Sequence, residues 1–270
     1  MNARNFLTAL LAVGSLAVAA KPSLADPGIY ERLVDSAVMI RVPGVSAGSG
    51  TVIDAQNKLV ITNYHVVGEA DEAEVYFAAF DGNGELVKAR TDYYTHAKTL
   101  QSQGLAMMGK VVARWASKDL ALVKLPELPA DAVAIPLASQ AVAPGEAVHS
   151  VGCPGASDAL WVYSPGQARM VSQQLFSYSD GQRVEARIID MTSPINPGDS
   201  GSGMVNARGE LVGVVCGNNG KGRLLSMAVD LTEVKNFVNK YYNALEIESP
   251  VNTWGAGAAT ALVGDFHWPQ

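Results

Sequence analysis

Apolar residues along this chain come in short runs, broken every few positions by Gly, Asn, Asp or Pro, which is the punctuation of strands joined by turns. In the first half the runs are Val38–Val42, Gly50–Asp54, Lys58–Thr62, Glu74–Phe80 and Leu86–Arg90; they resume at Val111–Trp115 and Leu120–Leu125. Asp81-Gly82-Asn83-Gly84 predicts a tight hairpin turn, because these residue types accept the positive φ such turns require. Between Thr91 and Lys110 the strand pattern lapses. There Tyr93, Tyr94, Leu100, Leu105, Met107 and Met108 sit among polar residues at loosely helical spacing. Pro126, Pro129 and Pro136 mark a connector, after which the style repeats. The second set of runs is Ala147–Gly152, Gln167–Ser172, Arg183–Met191, Gly203–Asn206, Leu211–Cys216 and Leu225–Val229.

One long helix is predicted near the end. Asp230-Leu231-Thr232-Glu233 has the spacing of a capping box, with Asp in place of Ser or Thr. Behind it, Leu231, Val234, Phe237, Val238 and Tyr241 fall on one face through about Tyr242. The pattern is therefore all-β in two halves, closed by a C-terminal helix. The ends read differently. Residues 5–20 are nearly continuous apolar sequence behind Arg4, and Ser23-Leu24-Ala25 is a small-x-small site. This predicts a signal peptide over residues 1–25, cut after Ala25 or Ala20, and hence an exported protein. The apolar run is short for a bilayer span, and no other stretch is long enough, so no stable membrane span is expected after cleavage. Residues 248–270 are rich in Gly and Ala and read as a flexible tail.

Composition narrows this further. The 270 residues admit one large or two small domains; the expected units are 26–130, carrying an insertion near 91–110, and 131–247 with the helix. The net charge of −6 becomes more negative when the leader removes Arg4 and Lys21. An acidic chain without a basic run is a poor nucleic-acid binder. Cys153 and Cys216 could pair in an oxidising compartment. Together with the scattered histidines they lack zinc-site spacing, so neither metal nor organic cofactor is expected.

The chemistry concentrates in Asn196-Pro197-Gly198-Asp199-Ser200-Gly201-Ser202-Gly203. Serine is a weak nucleophile until a base takes its proton. A glycine-hinged turn exposes the hydroxyl and can aim backbone N–H groups at a developing oxyanion. Such strings also occur in plain surface turns, so Ser200 needs partners. His65 stands at the end of the β-rich Lys58–Asn63 run, where the chain turns. Asp119 opens the apolar run Leu120–Leu125, where a carboxylate is costly to desolvate without a polar partner. A lone histidine there could be structural, and Asp54, Asp92, Asp158 or Asp190 could be offered instead of Asp119. The joint occurrence in the order His65, Asp119, Ser200 favours a base, an orienting acid and a nucleophile.

On these residues the chain resembles the trypsin-like, chymotrypsin-fold serine peptidases, most closely the HtrA/Deg group of exported bacterial enzymes. The matching pieces are Gly48-Ser49-Gly50-Thr51-Val52-Ile53, Ile61-Thr62-Asn63-Tyr64-His65-Val66-Val67, Lys118-Asp119-Leu120-Ala121-Leu122-Val123-Lys124 and Ile195-Asn196-Pro197-Gly198-Asp199-Ser200-Gly201. Weaker echoes are Val151-Gly152-Cys153-Pro154-Gly155 and Gly209-Glu210-Leu211-Val212-Gly213-Val214. The resemblance implies two antiparallel Greek-key β-barrels with the active site between them. It implies a catalytic set of His65, Asp119 and Ser200, and an oxyanion hole from the N–H groups of Gly198 and Ser200. Pro194, Ile195, Cys216 and Gly217 would bind substrate. It further implies polypeptide substrates, a periplasmic or secreted location and room for homo-oligomers. Cys153 and Cys216 would lie on different sides of the cleft, as two buried thiols.

Four departures from that family qualify the expectation. Asp199 stands where many HtrA/Deg members carry Asn, yet nothing near Asp26 resembles the cleaved N-terminus that digestive members pair with such an Asp. Too few residues follow Tyr242 for a PDZ domain. Thr91–Lys110 is excess sequence, either surface decoration or an element near the cleft. Pro194 stands where a basic-specific enzyme has a carboxylate, which predicts cleavage after small or medium apolar residues. Two other readings compete: a peptide-binding chaperone on the same fold, and an esterase. The esterase frame Gly-x-Ser-x-Gly is not met by Gly198-Asp199-Ser200-Gly201-Ser202.

Overall fold

The computed structural model describes residues 27–155, 157–218, 225–246 and 249. The expected leader, residues 1–25, and nearly all of the expected 248–270 tail lie outside the described residues. Strands β1 (Ala37–Val42), β2 (Ser46–Asp54), β3 (Leu59–Thr62), β4 (Glu72–Phe77), β5 (Ala106–Trp115) and β6 (Leu120–Lys124) pair antiparallel in the order β1-β2-β3-β6-β5-β4. Pairing of β1 with β4 closes them into a barrel. β7 (Ala147–Gly152), β8 (Val162–Ser177), β9 (Arg183–Met191), β10 (Gly203–Asn206), β11 (Leu211–Asn218) and β12 (Ser226–Asp230) repeat the same cyclic order and close through β10 and β7. This is the doubled Greek-key architecture expected from the sequence.

Period-two alternation explains how one strand serves two cores. Val38, Ile40 and Val42 of β1 pack inside the first barrel with Val52, Val60, Val75, Val111 and Val123. Ala37 and Met39, on the opposite face, join the larger cluster that continues into the second barrel. The first lumen is full: a Cβ on Gly50 would come within 2.7–2.9 Å of Val60, Ile40 and Val38. The helix α5 (Leu231–Ala244) starts where predicted, with the Asp230 carboxylate accepting from Thr232 N. Val234, Phe237, Val238 and Tyr242 are buried beneath it. Each such side chain contributes about 1.5–3 kcal/mol, which outweighs anything helix propensity adds. The capping box is only half formed, because Glu233 turns away to accept from Arg187 N and Lys118 Nζ.

Several boundaries differ from the sequence pattern. Helix α1 (Pro27–Val34) was not foreseen; it buries Ile29, Leu33 and Val34. The insertion forms α3 (Arg90–Thr95) and α4 (Ala97–Ser102), which follow the short α2 (Tyr64–Val67). It ends sooner than expected, since β5 already begins at Ala106, paired to Tyr76. Leu86–Arg90 is not a strand but carries two isolated bridges, Phe80 to Leu86 and Ala89 to Ala159. The insertion is a strut between the barrels, not loose decoration. Buried Tyr93 donates its hydroxyl to Val87 O and accepts from Ala79 N and from Trp161 Nε1 in the second half. β8 runs far beyond Gln167–Ser172, because its outer stretch pairs with β9 from Gln173↔Arg187 to Ser177↔Arg183.

Candidate active site

Asp119 and His65 are brought together by the ends of neighbouring strands. β3 and β6 pair directly, Thr62 opposite Ala121, so the residues just past β3 and just before β6 share one edge. Asp119 adopts φ +55 as the chain leaves a 3₁₀ turn (Ala116–Lys118), a conformation that Asp tolerates better than most residues. Its carboxylate is fully buried. It accepts from His65 Nδ1 at 2.8 Å and from the His65 backbone N–H at 3.0 Å. Asn63 Nδ2 holds the Asp119 carbonyl at 2.8 Å. Ring and main chain of His65 are thus both fixed, and with Nδ1 donating, Nε2 is left as the acceptor.

The serine turn is docked onto the same floor from the other barrel. Ser49 N of β2 donates to Ser200 O at 2.8 Å, and Gly201 N donates to Val215 O at 2.8 Å. Thr62 Oγ1, three residues before His65, donates to Ser49 O. A Cβ on Gly201, whose φ is +92, would lie 2.0 Å from Ser49 O and 2.3 Å from Thr62 Oγ1. Only glycine lets the turn come this close. Ser200 therefore sits beside the strand that delivers His65, although no hydrogen bond joins its hydroxyl to the imidazole in this structure. Such bonds commonly tighten only when substrate is bound.

The turn before Ser200 has its peptide planes fixed. Gly155 N donates to Pro197 O at 2.6 Å. Carbonyl and N–H of a trans peptide point opposite ways, so the Gly198 N–H is aimed away from Gly155. Ser49 Oγ donates to Gly198 O at 2.8 Å and accepts from Cys153 N at 3.0 Å. A Cβ on Gly198 would lie 2.5 Å from Cys153 O. Among the described residues neither Gly198 N nor Ser200 N has an acceptor, as a pair of oxyanion donors requires.

The segments that carry Pro194 and Ile195, and Cys216 and Gly217, meet β12 at neighbouring positions. Ser226 Oγ donates to Ser193 O, and β11 pairs Gly217 with Met227. Ser164 Oγ donates to Pro194 O at 3.0 Å. None of these side chains carries charge, and a Cβ on Gly217 would meet nothing within 4 Å. Cys153 and Cys216 are buried free thiols, as the resemblance implied. Three contributors escaped sequence reasoning. Ser49 was matched as part of a motif without a role, while Tyr178 and Gln182, whose side chains reach Asp119, belong to no motif.

Asp199 is the electrostatic oddity of the turn. It is 2% exposed; one oxygen accepts from Asn196 N at 2.8 Å and the other has no partner. Gly152 makes room for that bare oxygen, since a Cβ there would be 2.3 Å away. Burial pushes the carboxyl up to about 6, against the opposing pull of the Asn196 N–H and the Arg90 charge. The folded chain holds this proton more tightly than the unfolded one. The group's stabilising contribution is thus largest in acid and is lost as pH rises from 3.8 to about 6. Asp199→Asn is expected to raise the unfolding free energy by about 2–3 kcal/mol at neutral pH, and by much less near pH 4. Urea unfolding at both values checks this; equal gains would show that the charge is not the cause.

Two closed six-stranded barrels, a buried acid–imidazole pair on one and a glycine-hinged serine turn on the other, define the chymotrypsin-like class. The chain belongs to the trypsin-like peptidase family: the model of the trypsin-like peptidase domain matches residues 48–214. It is 26% identical over 218 residues to the serine protease Do-like HtrA of Lactococcus lactis subsp. cremoris, covering 76% of this chain and 47% of that protein. It is 27% identical over 204 residues to the periplasmic serine endoprotease DegP of Salmonella typhimurium, covering 73% and 36%. The chain thus spans less than half the length of these relatives. Among solved structures, the active form of the Rv3671c protease from M. tuberculosis aligns with a TM-score of 0.60 and 22% identity, over 86% of this chain and 94% of that one. The serine endoprotease from Yersinia pestis aligns at 0.55 and 18%, over 80% and 65%. These likenesses support the fold.

Proposed function

We propose that this protein is a serine endopeptidase that cleaves peptide bonds through an acyl-enzyme. Ser200 Oγ attacks the carbonyl, His65 Nε2 takes its proton and returns it to the leaving amine, and Asp119 stabilises the imidazolium. The N–H groups of Gly198 and Ser200 receive the oxyanion. The observation that carries this reading is the buried Asp119 carboxylate gripping both Nδ1 and the backbone N–H of His65. No binding role requires an imidazole fixed in that tautomer. None of the described helices is long and apolar enough to cross a membrane. The leader-like N-terminus and the likeness to a periplasmic DegP favour export to the periplasm or outside the cell. There the substrates are exported or unfolded polypeptides, and homo-oligomers are compatible with the fold. The uncharged Pro194, Ile195, Cys216 and Gly217 surroundings favour small or medium apolar residues before the cleaved bond.

Purified protein incubated with unfolded casein and with a peptide library tests both levels. Cleavage after Ala, Val or Leu is the expected pattern. Cleavage after Arg or Lys would overturn the specificity reading alone. Capture of casein with no cleavage at all would replace the peptidase by a chaperone.

A further inference from the structure

The carboxylate of Asp119 is also held from outside its own barrel. β8 and β9 form a long hairpin whose tip is closed by Tyr178 N donating to Gln182 O at 2.9 Å and Gly181 N donating to Tyr178 O at 3.1 Å. That tip reaches the acid–imidazole pair of the first barrel. The Tyr178 hydroxyl lies 2.7 Å from Asp119 Oδ2 and 2.9 Å from Cys216 O, and its ring centroid is 4.7 Å from that of His65. Gln182 Nε2 donates to Ala116 O at 3.1 Å and reaches Asp119 Oδ1 at 3.4 Å. Burial, with Cys216 and Asp119 alongside, pushes the Tyr178 phenol far up, so it is a neutral donor with a single proton. One proton cannot serve two acceptors fully. The carboxylate is the nearer and the charged one, and hydrogen bonds to charged groups are the stronger.

We infer that Tyr178 is a positioning residue for the reaction, its hydroxyl pinning Asp119 Oδ2 so that the carboxylate faces His65 Nδ1. This rests on the proposed peptidase function. It also makes the hairpin of the second barrel a structural condition for the base carried by the first. Brace contacts follow the same path: Lys118 Nζ, one residue before Asp119, donates to Glu185 O of β9 at 2.7 Å and pairs with Glu233 at 3.2 Å. A hydroxyl given to Asp119 acts on chemistry, whereas one given to Cys216 O acts on the strand beside the substrate pocket.

Tyr178→Phe separates these roles, because it keeps the ring and removes the donor. Casein-derived peptide turnover should show kcat about tenfold lower with KM within about twofold. The low-field proton resonance of His65 Nδ1–H should shift, a signature read without turnover. Unchanged kcat with an unmoved resonance, or a loss confined to KM, would overturn the inference. Should Tyr178→Phe fail to fold, site-specific 3-fluorotyrosine at 178 keeps shape while strengthening the donor; an unmoved resonance there would also refute it. The resonance exists whether or not the protein cleaves peptides. A null result with Ser200→Ala would therefore remove the peptidase reading and be distinguishable from failure of the Tyr178 role.

Discussion

Ser200→Ala should lower casein turnover by about a millionfold while leaving the melting temperature close to that of the parent. The two halves of that expectation have separate causes. Loss of Oγ leaves the base without a nucleophile to activate, and what activity remains comes from the oxyanion donors and binding. The turn itself is held by main-chain groups, Ser49 N to Ser200 O and Gly201 N to Val215 O, which alanine keeps. His65→Ala should cost about as much, and the double variant little more, since the two groups act as a unit. Residual activity within tenfold of wild type in Ser200→Ala would place the nucleophile elsewhere.

Asp119→Asn should reduce kcat by about 10⁴-fold. Every group that reaches this carboxylate is a donor: His65 N–H and Nδ1, Tyr178 OH and Gln182 Nε2. An asparagine places an NH₂ among them in either orientation, facing His65 or facing Tyr178. The imidazole can relieve the conflict by moving its proton to Nε2 so that Nδ1 accepts. It then cannot take a proton from serine. The buried mismatch should also cost about 1–3 kcal/mol of stability. Nitrogen-15 chemical shifts of His65 report the tautomer directly. A fully active Asp119→Asn with Nδ1 still protonated would show that the carboxylate does not set the base.

The positions proposed to carry the chemistry were the easiest to locate in the sequence. His65, Asp119 and Ser200 each sit where an apolar strand meets a turn, and glycines at 198 and 201 are required by close backbone approach. Strand order was legible through the resemblance, while lengths were not. The outer part of β8, Gln173-Gln174-Leu175-Phe176-Ser177, shows no polar–apolar alternation and becomes a strand only through its ladder with β9. Helix α1 was missed just after the expected leader, although Pro27 opens it and Ile29, Leu33 and Val34 are its buried side. The insertion's place stays open in the sequence because its key contact, Tyr93 with Trp161, joins residues far apart along the chain. Tyr178 is the same case in the active site. A tyrosine at a hairpin tip has no local signature, and its importance comes from which barrel the hairpin leans against.

Covalent labelling tests the central claim most directly. The purified protein treated with a fluorophosphonate should gain one adduct, and mass mapping should place it on Ser200. His65→Ala should label far more slowly, since the hydroxyl then lacks its base. An adduct on another residue, or labelling of Ser200 at the same rate without His65, would contradict a nucleophile activated across the two barrels.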